Sequence, residues 1–312
     1  TLWPMPITLD VDETFANQLN AGENITLRDQ EGVVIANMCV GECWKVDKTR
    51  EALAVFGIDD DSHPGVHYLR YEAGDYYVSG VITGVTPPLH YDFKHYRHSP
   101  RSLRQSFAEK GWNKVIAFQT RNPMHRAHEE LCRMAQNELN SDGILVHMLL
   151  GKLKKGDIPA DVRDASIRKM VELYFPENTV MVSGYGFDML YAGPREAVLH
   201  AIFRQNSGCS HLIVGRDHAG VGDYYGAFDS QTIFENIPED ALQIQIFQGD
   251  HTVWCHKCEK VMMMRDCPHG MEDYLLLSGT RVREILVNGE KLPPEFSRPE
   301  VAEILSEYYQ TL

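Results

Sequence analysis

The rhythm of hydrophobic and polar positions changes once along the chain. Over residues 1–100, Val33-Val34-Ile35-Ala36 and the stretch Val66 to Val85 are rich in β-branched and aromatic residues. The second stretch is broken by Gly74-Asp75 and Gly80, so both predict short strands and hairpin turns in a β-rich unit. Pro87-Pro88 and the basic Lys94 to Arg104 segment predict a linker running into a helix. From Lys114 onward, short apolar runs alternate with helical patterns. The runs are Lys114 to Phe118, Ile144 to Leu150, Thr179 to Ser183, His211 to Val214 and Gln243 to Phe247. Helical spacing recurs between them near Met124 to Leu139, Asp161 to Phe175, Pro194 to Gln205 and Ser230 to Asn236. That alternation predicts a parallel sheet with crossover helices, a doubly wound α/β domain over residues 101–249. Residues 250–312 form a small C-terminal unit with a Ser278-Gly279-Thr280 turn. Its final helix is preceded by Ser297-x-x-Glu300, the pattern of a capping box.

Composition narrows the function. The chain has 312 residues, 43% hydrophobic and 24% charged, which fits two or three folded domains rather than a disordered or fibrous chain. No apolar run approaches the ~18 residues of a membrane span, and residues 1–10 lack the pattern of a signal peptide, so no membrane contact and a cytoplasmic location are expected. A net charge of −14 argues against general nucleic-acid binding. An anionic substrate must therefore meet a local positive cluster.

Two segments supply such clusters, each at the end of an apolar strand. Gln119-Thr120-Arg121-Asn122-Pro123-Met124-His125-Arg126-Ala127-His128-Glu129 crowds polar groups after the first strand of the α/β unit. Pro123 is expected in the first turn of the next helix, with His125 and His128 on one face near its N-terminus. Free backbone N–H groups there, two imidazoles and Arg121 make an anion site. The competing reading is a solvated face on which Arg121 and Arg126 pair with Glu129 and Glu130. The second segment is Gly215-Arg216-Asp217-His218-Ala219-Gly220. Its glycines allow close approach to a ligand, Arg216 and His218 can hold a triphosphate, and Asp217 can orient one of them.

Together with Ser278-Gly279-Thr280-x-x-Arg283 downstream, these segments resemble the ATP sulfurylase (sulfate adenylyltransferase) family across nearly the whole chain. The resemblance implies a PUA-like domain at 1–100, an α/β nucleotidylyltransferase (Rossmann-like) domain at 101–249 and a small C-terminal domain at 250–312. It implies a reaction of MgATP with sulfate to give adenosine 5'-phosphosulfate and pyrophosphate. Carried over by motif position, Thr120, Arg121 and Asn122 are the catalytic trio, and Gln119, Arg121 and the backbone of Ala219 hold sulfate. The nucleotide falls to Gln119, Thr120, Arg121, Asn122, His125, His128, Gly215, Arg216, Asp217 and His218. Family members are commonly homo-oligomers, so one is expected here. They also usually carry a further N-terminal stretch, which implies that a chain opening Thr1-Leu2-Trp3-Pro4 is truncated or processed. No adenylylsulfate kinase P-loop is seen, which implies a single-function enzyme.

Seven cysteines without a secretion signal point to reduced thiols or metal ligands. Cys255-x-x-Cys258 followed by Cys267-Pro268-His269 has the inventory of a structural zinc site, with His269 as fourth ligand and His256 as its competitor. A redox Cys-x-x-Cys lacks the surrounding thioredoxin-like pattern. Cys39 and Cys43 are too far apart for a knuckle, while Cys132 and Cys209 read as small core residues. The basic segment Gly151 to Asp157 is either a lid over the phosphates or a solvated loop. Two other functions compete: a nucleotidylyltransferase with a different acceptor, which would not need the Gln119-to-Asn122 run, and a non-catalytic zinc-containing binding module.

Overall fold

A computed structural model of the chain describes residues 2–152 and 157–311. The N-terminal part holds strands β1 (Asp10–Val11), β2 (Asn24–Arg28), β3 (Val34–Lys45) and β4 (Tyr76–Thr83), antiparallel in the order β1-β4-β3-β2. Helices α1 (Glu13–Ala16), α2 (Lys48–Phe56) and α3 (Pro64–His67) accompany them. Asp47 caps α2 by accepting from Arg50 N at 2.9 Å, and Gly57 ends it at φ 73°.

Two expectations for this part are corrected. Pro64 to Glu72 is helical, with α3 running into a π-helical turn, because buried His63 caps the segment through Nδ1 and Val66 and Leu69 face a core at helical spacing. Gly80 does not break its strand. It pairs with Val40 inside the sheet, where a Cβ would fall 2.2 Å from the Cys39 carbonyl oxygen, so glycine serves close strand approach there.

After α4 (Pro100–Glu109) the rhythm becomes β5 (Val115–Thr120), α5 (Arg126–Leu139), β6 (Gly143–Leu149), α6 (Ala160–Tyr174), β7 (Val180–Tyr185), α7 (Pro194–Asn206), β8 (His211–Val214), α8 (Asp229–Thr232) and β9 (Gln245–Gln248). The five strands are all parallel, in the order β7-β6-β5-β8-β9. Alternate side chains of β5 and β6 enter opposite cores. Ile116, Phe118, Val146 and Met148 pack with α5, α6 and the C-terminal helices, while Val115, Ala117 and Leu145 pack with α4 and with Ala201 of α7. Covering on both faces makes β6 apolar along nearly its whole length, and every residue of it is buried. The strand order reverses between β5 and β8, and ligands of such sheets bind beyond the carboxyl ends of the strands at that reversal.

The C-terminal part has β10 (Thr252–Cys255), β11 (Lys260–Met263), β12 (Tyr274–Leu275), α9 (Gly279–Val287) and α10 (Pro299–Gln310), with the strands in the order β11-β10-β12. The expected capping box before α10 is absent. Arg298 is the N-cap residue and Pro299 opens the helix, while the Glu300 carboxylate accepts from Tyr174 Oη at 2.5 Å. Among the described residues no helix is long and apolar enough to cross a membrane.

Candidate active site

The exits of β5 and β8 open onto one cavity of about 900 Å³. Gln119, Thr120, Arg121, Asn122, His125 and His128 line it from the β5 side, and Gly215, Arg216, Asp217, His218 and Ala219 from the β8 side. Ser278, Gly279 and Arg283 close it from the start of α9, where Ser278 Oγ caps the helix by accepting from Arg281 N.

On the β5 side, Thr120 Oγ1 donates to the Asn122 carbonyl at 2.8 Å and accepts from Asn122 N at 3.0 Å, which pins the turn carrying Arg121. Helix α5 begins at Arg126 with His125 as its N-cap, so Pro123 lies outside the helix rather than in its first turn. The His125 N–H donates to His128 Nδ1 at 3.4 Å, which leaves the proton of neutral His128 on Nε2. The pairing of Arg121 and Arg126 with Glu129 and Glu130 is not formed. Glu129 is buried and takes a bidentate bond from Arg298 at 2.8 and 2.9 Å, and Arg126 donates to the Pro294 carbonyl. Arg121 lies over the Tyr191 ring at 5.1 Å, makes no salt bridge among the described residues, and its buried Nη1 has no partner. Buried His125 Nδ1 is likewise unpartnered. Two buried polar atoms at one cavity are thus left unmatched, at a cost of about 1–3 kcal/mol each.

On the β8 side, the left-handed backbone conformations fall on Asp217 (φ 54°) and Ala219 (φ 56°) rather than on the flanking glycines. A non-glycine residue held there costs of order 1–3 kcal/mol, a strain that functional loops commonly carry. A Cβ on Gly215 would meet nothing within 4 Å. Asp217 pairs with Arg216 at 3.5 Å, while His218 Nε2 is hydrogen-bonded to His200 Nδ1 at 3.0 Å.

His200 belongs to a set that the sequence reading missed. Glu196, His200 and Arg204 recur every fourth residue along α7 and are fully buried. Glu196 accepts from the backbone N–H groups of Leu190 and Ala192, fixing the loop that carries Tyr191. Arg204 donates to Gln119 Oε1 at 2.5 Å. Three ionisable residues at helical spacing among Ala, Val, Leu and Ile were the available signal.

Burial dominates the titration of these groups. It lowers His128 to about 4 and His218 to about 3, and holds His125, His147 and His200 well below the ordinary imidazole value. The imidazoles therefore enter the site as neutral groups, not as cations. In the unfolded chain they titrate near ~6.5. Their folded values lie lower, so the unfolded state binds more protons below that pH and stability falls as pH drops. Burial raises Glu196 to about 7, which costs stability as pH rises from ~4.5 to ~7, but it is one group against five. The melting temperature is expected to be lower at pH 5 than at pH 7, and a value unchanged over that range would contradict neutral buried imidazoles.

Cys255, Cys258, Cys267 and His269 place their ligand atoms within 4.8 Å of one another, a group that can hold a metal ion. Cys258 Sγ is 3.8 Å from Cys267 Sγ, and His269 Nδ1 is 3.4, 3.2 and 3.8 Å from Cys255, Cys258 and Cys267. A tetrahedron with Zn–S of ~2.3 Å and Zn–N of ~2.05 Å has edges of ~3.8 and ~3.6 Å, so the four donors fit that ion. His256 is outside the group. The cluster sits beside the cavity, because Thr252, Val253 and Trp254 of β10 line it immediately before Cys255. Cys132 and Cys209 are buried free thiols, as expected. Of the basic segment, residues 153–156 lie outside the described residues, and Asp157 lines the cavity.

The ATP-sulfurylase family model matches residues 94–308 and a PUA-like domain model matches residues 1–87. A sulfate adenylyltransferase of Alcanivorax borkumensis is 60% identical, covering 99% of this chain and 79% of the relative. That of Allochromatium vinosum is 52% identical, covering 99% and 80%, and that of Chlorobium chlorochromatii is 49% identical, covering 100% and 77%. A solved structure described as a hexameric APS kinase from Thiobacillus denitrificans superposes with a TM-score of 0.74 at 25% identity. It covers 98% of this chain, which spans 53% of that chain's length.

Proposed function

We infer, from the premise that the chain belongs to the ATP-sulfurylase family, that it is a sulfate adenylyltransferase, an enzyme of the nucleotidyltransferase type. The observation that carries the assignment to this cavity is the convergence of both strand-exit segments on it, with Arg121 Nη1 left unmatched. MgATP lies across the β5 and β8 exits, its phosphates held by His125, His128, Arg216 and the backbone of Gly215 to His218. Sulfate is held by Gln119, Arg121 and the Ala219 N–H, which has no partner among the described residues. Sulfate is already ionised, so no general base is needed, and catalysis reduces to positioning and charge stabilisation.

A sulfate oxygen attacks the α-phosphorus in line and the bond to the pyrophosphate oxygen breaks. The resulting charge is met by Arg121, by Asn122 on the turn pinned by Thr120, and by the neutral N–H donors of His125 and His128. The cysteine cluster holds a structural zinc ion through Cys255, Cys258, Cys267 and His269. It supplies no chemistry to the reaction and ties β10 to the segment after β11. Residues 1–100, 101–249 and 250–312 serve as PUA-like, catalytic and C-terminal units, supported by the matches at 1–87 and 94–308. We place the enzyme in the cytoplasm as a homo-oligomer, which the hexameric solved relative favours.

The test is pyrophosphate release from MgATP with and without molybdate, a sulfate mimic whose adenylyl adduct hydrolyses. Release is expected to depend on molybdate. A folded, ATP-binding chain that releases none would move the assignment to another acceptor or to a binding module.

A further inference from the structure

The Gln119 side chain lines the cavity, yet its orientation is set from behind. Arg204 Nη2 lies 2.5 Å from its oxygen, and a guanidinium carries donors only, so the atom facing it must be Oε1 and not Nε2. Gln119 therefore has its acceptor occupied and turns its amide donors away from Arg204, with Nε2 donating weakly to Met189 Sδ at 3.7 Å. Arg204 is itself unusual. It is fully buried against the Tyr185 ring at 4.1 Å, makes no salt bridge among the described residues, and its Nε lacks a partner. Burying a guanidinium without a carboxylate is costly, and a structural role would be served as well by an apolar side chain of the same volume.

Resting on the functional reading above, we propose that Arg204 is the positioning residue that makes the acceptor subsite selective for fully ionised oxyanions. By clamping Gln119 it leaves a subsite built from donors alone: Gln119 Nε2, Arg121 Nη1 and the Ala219 N–H. Sulfate offers only acceptors at neutral pH and satisfies all three. Hydrogen phosphate has a similar size and charge but carries an O–H, which finds no acceptor in a subsite of donors and is left unpaired. Sites that bind by matched hydrogen bonds discriminate strongly against a ligand that leaves a buried group unpaired. Without the clamp, the Gln119 amide can turn over and offer Oε1 to that proton.

The experiment measures KM for sulfate, the inhibition constant of inorganic phosphate against sulfate, and the dissociation constant of MgATP. In Arg204→Met the KM for sulfate is expected to rise about tenfold, and the ratio of the phosphate constant to the sulfate KM to fall about tenfold. MgATP binding should change less than about threefold. Arg204→Lys, which restores a donor, should recover part of the ratio. Gln119→Glu tests the same logic without touching Arg204: it places an acceptor in the subsite, so the ratio must fall there too. If that ratio stays at the wild-type value in Gln119→Glu, or in a folded Arg204→Met, the inference is overturned while the functional reading stands. A wild-type chain that turns over no sulfate overturns both.

Discussion

Arg121→Ala is expected to lower molybdate- and sulfate-dependent pyrophosphate release by about 10³ or more while leaving the fold intact. Removing one preorganised donor from a transition-state site typically costs about 10² to 10³. In the proposed function the lost group is also the guanidinium at the acceptor anion, and truncating one partner of a hydrogen-bonded charge pair costs a further part of the binding energy. The fold should tolerate the change because Arg121 forms no salt bridge among the described residues and its Nη1 has no hydrogen-bond partner; the support its charge gives the buried Glu196 carboxylate is the main loss expected. It also lies over the Tyr191 ring, whose loop is held by the hydrogen bonds of Leu190 and Ala192 to Glu196. Arg121→Lys keeps the charge but loses the planar fork, so its activity should fall between those of the alanine variant and the wild type. The measurements are steady-state pyrophosphate release and a thermal melt on the same preparations. Near-normal turnover in Arg121→Ala would remove sulfate binding from this cavity, whereas a lost melt transition would make the variant's inactivity uninformative and pass the decision to Arg121→Lys.

The α/β sheet was legible in the sequence because both of its faces are covered. Val115 to Phe118 and Ile144 to Leu149 alternate between two cores, so they read as apolar runs bounded by polar exits. The strand exits were legible for a related reason, since His125, His128, Arg121 and Arg216 stand out against the apolar strands that deliver them. Pro64 to Glu72 was not legible, because Tyr68, Tyr71 and Val66 have strand propensity and a tertiary override decided the matter: His63 caps the segment and Phe56 packs against it. The α7 stripe was missed for another reason. Glu196, His200 and Arg204 lie remote in sequence from the segments they support, and only the fold brings Arg204 to Gln119 and His200 to His218. Residues that act through another residue leave their trace in spacing and burial rather than in a motif.

Removing the zinc proposed for the cysteine cluster is expected to destabilise the chain and disturb the cavity together. The four donors form a closed set with no position left for substrate, and zinc binding at such sites is itself folding free energy. The apo cluster would leave three thiols and an imidazole crowded within 4.8 Å with no ion between them. Taking the about 2–5 kcal/mol lost with a native disulfide as the scale for such a covalent staple, the melting temperature of a chain of this size should fall by roughly 3–8 °C. The effect should reach activity through β10, since Trp254 precedes Cys255, lines the cavity, and carries the Arg126 guanidinium over its ring at 4.9 Å. Chelation or Cys258→Ser should therefore lower the melting temperature and reduce turnover, and added zinc should restore both in the chelated chain but not in the variant. A redox pair would behave differently, responding to oxidant and reductant rather than to metal. Protein purified without chelator should contain about one zinc per chain. Metal analysis finding none in an active, fully stable preparation would rule the site out.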